Sequence, residues 1–381
     1  MTRPSLLIIS FSSIDRDARV LKQVRMFSDR YEVTTCGFGP APEGAARHVR
    51  IPDGLRANDL DGRLITAHLY SRAYWSTSAV SWARTHLARD VYDIVLANEA
   101  DAAPLALWLR PRAGVHVDLH EYHPKVKEND PLWDRRIRPY VEWQCRRHVA
   151  RASSTTTVSE GVAAEYQRVF GFRPEIVTNA TEYAELQPTP TGRPLRFVHS
   201  GGSQRSRGLA ATVQAFIDAT SGATLDLYLV PNDPANIADL RALAEGAGGR
   251  VTVHDPVPYD DLVATLADYD VGIFVLPHVT FNYTWALPNK LFDFVQARLA
   301  AVVGPSPEMD RFVRRYGIGV VTDGYEPADI VAVVDALSAA DVDRMKSAAH
   351  ENARLIAKEA DADGWREAVD ALAGKLEGQL A

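Results

Sequence analysis

Short apolar runs alternate with helix-period amphipathic segments along nearly the whole chain. Runs of this length, bounded by turn residues, are typical of strands. The predicted strands are Leu6–Phe11, Glu32–Phe38, Asp93–Asn98, Val115–His120, Ser154–Ser159, Leu195–Ser200, Thr224–Val230, Arg250–Val253, Val271–Leu276 and Ala300–Gly304. Helical periodicity between them is clearest over Ala18–Phe27, Leu209–Ala219 and Ile330–Leu337. This alternation predicts an α/β fold of parallel sheets with helices on both faces.

A polar stretch rich in Pro, Thr and Gly, Pro188–Pro194, interrupts the series. A chain of 381 residues is long enough for about two domains. We therefore predict two Rossmann-like domains, 1–187 and 188–360, followed by a terminal helix over 361–381.

Composition indicates a soluble globular protein, with 46% hydrophobic and 24% charged residues. No apolar run approaches the roughly 20 residues of a membrane span. The run at Leu6–Phe11 is short and leads directly into polar sequence, so it is interpreted as a first strand and not as a signal peptide. Cys36 and Cys145 are too few for a disulfide framework or a metal site. These features predict a cytoplasmic protein.

The net charge of −7 is unevenly distributed. Residues 1–185 carry 25 Lys and Arg against 23 Asp and Glu, or +2, and the remainder carries 17 against 26, or −9. An acidic second half argues against nucleic acid as a partner. The turn after the first strand lacks G-x-G-x-x-G, and no P-loop sequence is present, so dehydrogenase and P-loop functions are disfavoured.

The segment Ala286–Phe294 carries the most specific chemistry. Pro288 is expected in the first turn of a helix, where the free amides would lie beside Lys290. The free backbone amides, the helix dipole and the Lys290 ammonium would together bind a diphosphate group. Asn289 and Asp293 are four residues apart and share a helix face, from which Asp293 could bind the hydroxyls of a ribose. An ordinary helix start with a solvated lysine would have the same sequence, so these residues alone leave both readings open.

Several segments, in order, resemble the retaining GT-B glycosyltransferases of family 4. They are Asp17–Val20, Asp118–Glu121, Thr157–Glu160, Asn179–Thr181, Ser200–Gly202, Arg207–Leu209, Leu287–Phe294 and Gly317–Gly319. The resemblance implies two facing Rossmann-like domains with an interdomain cleft. The C-terminal domain would hold a nucleoside diphosphate sugar and the N-terminal domain the acceptor. It also implies that a final helix, Asp361–Leu380, returns to the first domain through Trp365, Val369 and Leu372.

The resemblance implies that His120 contacts the donor sugar and that no metal or other cofactor is needed. A structural, hydrogen-bonded histidine is the alternative for His120. Glu121 would orient His120 or touch the acceptor, and it could equally be a surface carboxylate. Since Glu121 and His123 share the loop at the carboxyl end of a predicted strand, a functional role is favoured for His120.

Arg207 occupies the position at which the family usually has a phosphate-binding lysine, and its planar fork also suits phosphate. Arg205 is the second candidate, and either side chain could instead be solvated. Gly201 and Gly202 would let backbone amides approach the diphosphate, although a simple tight turn is the alternative.

Two positions depart from the E-x7-E pattern of the family. Asp293 replaces the second Glu, and Trp285 replaces the first. The departure leaves open whether donor choice changes or activity is lost. By resemblance, Asn282 in the predicted loop Phe281–Thr284 would face the transferred sugar, and Val257 in the loop His254–Val257 would contact the base.

A basic helix is predicted over Trp133–Arg151. In related enzymes such a helix docks on anionic membranes, which would place the protein at the inner face of the cell membrane. The alternative, which we favour, is a surface helix with a core stripe at Trp133, Ile137, Tyr140, Val141 and Cys145. Its outer face would carry i,i+4 ion pairs among Arg138, Glu142 and Arg146.

The sequence thus predicts a metal-independent retaining glycosyltransferase for a glycan or lipid-linked acceptor, active in cell-surface polysaccharide or glycoconjugate synthesis. A non-catalytic partner subunit that binds a sugar nucleotide or glycan is the alternative, motivated by Trp285 and Asp293. A sugar-nucleotide epimerase is a third possibility, because fold alone does not fix function.

Overall fold

The computed structural model describes residues 3–357 and 363–380, except for the side chains of residues 363 and 377–380. The chain packs as two units, one of Met1–Val177 with Ala362–Ala381 and the other of Thr178–Asp361. Each unit contains one wholly parallel sheet flanked by helices, which confirms the α/β class predicted from the alternating pattern.

The sheet of the first unit has the strand order β3-β2-β1-β4-β5-β6-β7. Its strands are β1 Ser5–Ser13, β2 Glu32–Phe38, β3 Arg47–Arg50, β4 Ile94–Asn98, β5 Gly114–Leu119, β6 Ser154–Thr157 and β7 Glu175–Ile176. The order reverses at β1, where Leu7 lies between Thr34 of β2 and Val95 of β4. Ligands of such sheets bind at the carboxyl ends of the strands, near a reversal of this kind.

The helices of the first unit up to residue 170 cover the two faces of this sheet. They are α1 Ala18–Phe27, α2 Gly62–Thr66, α3 Tyr70–Ser76, α4 Ser78–His86, α5 Ala103–Leu109, α6 Pro131–Arg136, α7 Arg138–Arg147 and α8 Glu160–Phe170, with 3-10 turns at Ile14–Arg16, His123–Lys125 and Val149–Arg151. Helix α1 begins where the Asp17 carboxylate accepts the Val20 amide, and it buries Val20, Val24 and Phe27. This packing fixes its first turn near the carboxyl end of β1.

The sheet of the second unit has the order β10-β9-β8-β11-β12-β13. Its strands are β8 Arg196–Gly202, β9 Thr224–Val230, β10 Val251–His254, β11 Val271–Phe274, β12 Ala300–Val303 and β13 Gly319–Val321. Its helices are α9 Leu209–Asp218, α10 Pro234–Ala244, α11 Tyr259–Leu266, α12 Phe281–Thr284, α13 Asn289–Gln296, α14 Pro307–Tyr316, α15 Pro327–Ala336 and α16 Ala339–Asn352, with 3-10 turns at Arg205–Arg207 and Glu245–Ala247. The Phe294 ring fills the space beside Gly272, so α13 lies directly against β11.

The last helix, α17 Asp363–Leu380, packs in the first unit. Trp365, Val369 and Leu372 are buried in the same apolar cluster as Leu6 and Ile94. The predicted start of this helix at Asp361 lies outside the described residues. The terminal helix thus supplies part of the core beneath the first sheet.

Three local predictions are corrected. Pro288 is the residue before α13 and has an extended backbone, because its ψ of 155° is not helical. The helix predicted over 133–151 is divided into α6, α7 and a 3-10 turn. Phe281–Thr284 forms the single helical turn α12 and not a loop.

The predicted surface of the basic segment is partly confirmed. Glu142 lies 3.7 Å from Arg138 and 3.3 Å from Arg146, so the expected i,i+4 pairs form. Tyr140, Val141 and Cys145 are buried, whereas Trp133 and Ile137 are only half-buried. Across residues 3–357 and 363–380, no helix is long and apolar enough to span a bilayer.

Candidate functional site

A glycine pair at the carboxyl end of β8 holds two cations. A Cβ atom on Gly201 would lie 2.6 Å from Cε of Lys290 and closer still to Nζ, and the φ of Gly201 is +129°. A Cβ atom on Gly202 would lie 3.2 Å from Nε of Arg207. Only glycine lets both side chains lie against the strand end. The sequence named all four residues separately, and the fold brings them together.

Neither cation forms an ion pair with a described residue. Lys290 also forms no hydrogen bond within that part of the chain, and the Phe274 ring lies 4.8 Å from Nζ. The negative charge of Asp293 favours the charged form of Lys290 without pairing with it. Arg207 donates from Nε to Oε1 of Gln204 at 2.7 Å and has no carboxylate partner among the described residues. Two neighbouring cations without ion-pair partners can attract an anion.

Burial, and next the charge of Arg207, lower the pKa of Lys290 to about 7. His199 lies in the same strand end, and burial followed by the charge of Lys290 lowers its pKa to about 3. Since Nδ1 of His199 faces the carbonyl of Ile273 at 3.0 Å, this nitrogen carries the proton. The imidazole is therefore neutral and adds no positive charge to the site.

Helix α13 adds backbone donors. Pro288 precedes it and supplies no capping side chain. The Leu291 amide donates to the Pro288 carbonyl at 3.2 Å, whereas the amides of Asn289 and Lys290 bond to no described residue and remain available. The dipole of the helix favours an anion at the same end. Asn289 and Lys290 are the first two residues of the helix, and both are half-buried. The diphosphate site expected from Ala286–Phe294 stays a prediction.

The remaining residues named for the second unit lie in different surroundings. Arg205 is ion-paired with exposed Asp239 and faces solvent. Asp293 is 3% exposed and accepts a 2.5 Å hydrogen bond from the Thr181 hydroxyl. One of its oxygens is therefore already engaged within the protein.

Helix α12 adjoins the Arg205–Arg207 turn through Tyr283, whose hydroxyl lies 3.1 Å from that of Ser206 and whose ring lies 6.0 Å from Arg207. Asn282 is the neighbouring residue and is half-buried. Val257 is half-buried in the loop after β10. The short helix α12, which contains Asn282, thus packs against the Arg205–Arg207 turn.

A buried ion pair lies at the carboxyl end of the first sheet. Nε and one terminal nitrogen of Arg19 each lie 2.7 Å from a different oxygen of Asp118. Gln23 and Thr156 also donate to this carboxylate, each at 2.7 Å. Burial alone would raise the pKa of Asp118, but the charge of Arg19 and then the contact with His120, at 3.4 Å, hold it well below its usual range. The bidentate pair of the Arg19 guanidinium with the Asp118 carboxylate therefore holds the carboxyl end of β5 in place.

The side-chain amides of Gln23 and Asn98 determine which ring nitrogen of His120 carries the proton. Because the Asp118 carboxylate only accepts, the amide nitrogen of Gln23 faces it, and the Gln23 oxygen accepts from Nδ2 of Asn98 at 2.9 Å. The Asn98 oxygen therefore faces Nε2 of His120, at 2.9 Å, and Nε2 donates. Nδ1 of His120 is left directed towards Glu99, 3.7 Å from Oε1.

Glu99 was not among the sequence predictions, although it directly follows a predicted strand. Its backbone has φ +72°, which directs the residue out of the strand end. Nδ1 of His123 lies 3.5 Å from Oε2 of Glu99. Burial would lower the pKa of His123, but the contact with Glu99 raises it to about 9. Burial and then Glu99 raise the pKa of Glu121. One atom each of Glu99, Glu121 and His123 lie within 4.8 Å of one another.

Solved structures identify the fold. HepE from Anabaena, in complex with UDP, is 12% identical with a TM-score of 0.72 over 96% of this chain and 100% of that chain. WaaG, a glycosyltransferase involved in lipopolysaccharide biosynthesis, is 14% identical with a TM-score of 0.64 over 95% and 98%. Sucrose-phosphate synthase from Thermosynechococcus elongatus is 14% identical with a TM-score of 0.66 over 99% of both chains.

Neither the protein-family models nor the curated proteins match the sequence. At 12–14% identity the structural similarity establishes the fold, which is that of GT-B glycosyltransferases with two Rossmann-like domains, as the sequence predicted.

Proposed function

We propose that this protein transfers a sugar from a nucleoside diphosphate sugar to a hydroxyl of a glycan or lipid-linked acceptor, with retention of configuration. The observation that carries the proposal is the pair of cations without counterions, Lys290 and Arg207, against Gly201 and Gly202. A diphosphate has the charge and the oxygens that these groups and the amides of α13 would bind.

The base is proposed to be uracil. HepE is described in complex with UDP, with UDP and glucose and with UDP-glucose. The loop that contains Val257 would contact the base, and Asp293 would reach the ribose. Asn282 would face the transferred sugar.

In the proposed step, the acceptor oxygen bonds to the anomeric carbon as the bond from that carbon to the diphosphate oxygen breaks. The acceptor proton passes to the departing phosphate oxygen, so the products are a glycoside and a nucleoside diphosphate. Lys290 and Arg207 stabilise the charge that develops on the leaving group. Nε2 of His120 is engaged by Asn98, so His120 positions the sugar through Nδ1, which donates when the ring is doubly protonated. Glu121 orients His120 or the acceptor.

The diphosphate is proposed to bind without metal, because protein cations supply the positive charge. A lipid-linked acceptor would bring the protein to the inner face of the cell membrane, in cell-surface polysaccharide or glycoconjugate synthesis. Arg135, an exposed basic residue in the last turn of α6, is placed for such a contact, whereas Arg136 donates to the Gly62 carbonyl and the Thr66 hydroxyl.

The test is thermal stabilisation by UDP, GDP, TDP and ADP in the presence of EDTA, on the wild type, Lys290→Ala and Lys127→Ala. Lys127 is an exposed lysine of the first unit and serves as the matched control. A ligand at 100 times its dissociation constant stabilises a fold by about 2.7 kcal/mol. We expect UDP alone to stabilise the wild type and the control, and Lys290→Ala to lose the effect. No response to any nucleotide, or an equal response in Lys290→Ala, would contradict the site.

Acceptor-dependent release of UDP from a UDP-sugar then separates transfer from mere binding. A protein that binds UDP but releases none with any acceptor, while leaving the sugar unchanged, would be a binding subunit.

A further inference from the structure

We propose that Glu99, Glu121 and His123 form a binding site for a divalent first-row transition metal, with Zn²⁺ as the best fit. Two carboxylates and one imidazole offer ligand atoms within 4.8 Å of one another at the carboxyl edge of the first sheet. Carboxylate oxygen and imidazole nitrogen are both ligands that Zn²⁺ takes, and three protein ligands leave one position of the ion open.

The contact between Glu99 and His123 has the geometry of two ligands of one ion. Oε2 of Glu99 and Nδ1 of His123 are shielded from solvent and make no hydrogen bond among the described residues. The 3.5 Å between them is long for an N–H···O bond. Two ligands that each lie about 2.0–2.2 Å from a tetrahedral zinc are themselves separated by roughly 3.3–3.6 Å.

The backbone brings the ligand residues to one point by separate routes. Glu99 leaves β4 with a left-handed backbone, and Glu121 and His123 follow β5, the neighbouring strand. The hydroxyl of Tyr166 accepts from the His123 amide at 3.1 Å and donates to the Glu121 carbonyl at 2.9 Å. These two hydrogen bonds fix the backbone of Glu121 relative to that of His123. Neighbouring residues that hold the ligands in place in this way are typical of metal sites.

Glu99, Glu121 and His123 would leave one position of a four-coordinate ion open. His120 lies beside the cluster, with Nδ1 3.7 Å from Oε1 of Glu99, and it keeps its proposed role at the sugar. The open position would take oxygen, so under the proposed function the metal would bind a hydroxyl of the acceptor.

The experiment is a titration of chelator-treated full-length protein with Zn²⁺, followed by competition with a chromophoric chelator and by thermal stability, without donor or acceptor. Mg²⁺ is the selectivity control. We expect one Zn²⁺ per chain, and Glu121→Gln and His123→Gln each to weaken binding by at least about tenfold. The exposed residues Glu43 and His86 lie outside the cluster, so Glu43→Gln and His86→Gln should bind as the wild type does.

Absence of Zn²⁺ binding, or affinity that is unchanged in both cluster variants, would overturn the site. Should the cluster variants not fold, the visible spectrum of the Co²⁺-loaded wild type decides. Intense d–d bands of a four- or five-coordinate ion support the site, and the weak spectrum of a six-coordinate aquo ion overturns it. Because these measurements use no nucleotide, their failure leaves the diphosphate proposal untouched, and loss of UDP binding leaves this site untouched.

Discussion

The side chain of Lys290 occupies the place that a side chain on Gly201 would need. The two residues are far apart in sequence, one ending β8 and the other opening α13. Their contact brings the end of β8 and the N-terminus of α13 together at the proposed diphosphate site. Under the proposed function, replacing Gly201 would therefore act on ligand binding and not only on backbone strain.

Gly201→Ala should therefore destabilise the fold and weaken UDP binding. The φ of +129° costs about 1–3 kcal/mol for a residue with a side chain, and the new methyl group displaces the Lys290 ammonium. Gly222→Ala is the matched control, because Gly222 also has positive φ, at +76°, but no atom within 4 Å of its Cβ position. Calorimetric titration with UDP should show weaker binding for Gly201→Ala alone. Equal UDP affinity in both variants would mean that Lys290 is not part of the site.

UDP binding should weaken as the pH rises above about 7, where the free protein loses the Lys290 proton. Binding to the diphosphate requires the charged ammonium, so affinity should fall by up to about tenfold per pH unit. Lys290→Met should bind weakly at all pH values between 7 and 9, with a flat profile over that range. A wild-type dissociation constant that does not change over this interval would contradict the prediction.

Without ligand, the contribution of Lys290 to the free energy of unfolding should change with pH in the opposite direction and rise above pH 7. The unfolded lysine keeps its proton up to about pH 10.4, whereas the folded residue releases it near pH 7. The unfolded state thus binds more protons between these values, and the contribution of Lys290 to the free energy of unfolding rises with pH. Urea denaturation at pH 7 should consequently find Lys290→Met more stable than the wild type. A less stable Lys290→Met would show that the ammonium is satisfied in the free protein.

Arg19→Met should lower the free energy of unfolding by about 3–5 kcal/mol, because it leaves Asp118 charged and buried without its partner. The side chains of Arg19 and Asp118 are 5% and 0% exposed. The control is Arg205→Met, which removes an ion pair whose two side chains are each 60% exposed and should cost less than about 1 kcal/mol. Urea denaturation of both variants tests the difference, and equal losses would contradict it.

His120→Gln should reduce the rate of UDP release from the donor sugar by about 10²-fold or more while UDP affinity stays unchanged. The two effects separate because UDP lacks the sugar that His120 is proposed to position. Single-turnover rates and calorimetric titration measure them independently. Lower affinity for UDP itself would place His120 at the diphosphate, and an unchanged rate would remove it from the reaction.

The apolar pattern predicted most of the fold because central strands are buried on both faces and carry uninterrupted apolar runs. Glu32–Phe38, Thr224–Val230 and Ala18–Phe27 were predicted to the residue. The strands that were missed, Arg47–Arg50, Glu175–Ile176 and Gly319–Val321, are outer ones that carry little or no such signal.

The candidate site was only partly predictable. Lys290, Arg207 and the glycine pair have local signals, namely a helix start and turns. Glu99 and Gln23 have none, because their roles depend on which strand ends the sheet order brings together. The engagement of Asp293 by Thr181 likewise depends on a contact between segments that are distant in sequence.

The place of α17 in the first unit has a consequence for how the protein is made. Trp365 stacks on Arg19, with 4.5 Å between the guanidinium carbon and the ring centroid, and the same helix covers Leu6 and Ile94. A ribosome synthesises the whole second unit before this helix emerges. The newly made first unit therefore has an open apolar face until then, and its Arg19–Asp118 pair receives its aromatic cover only after the second unit has been made.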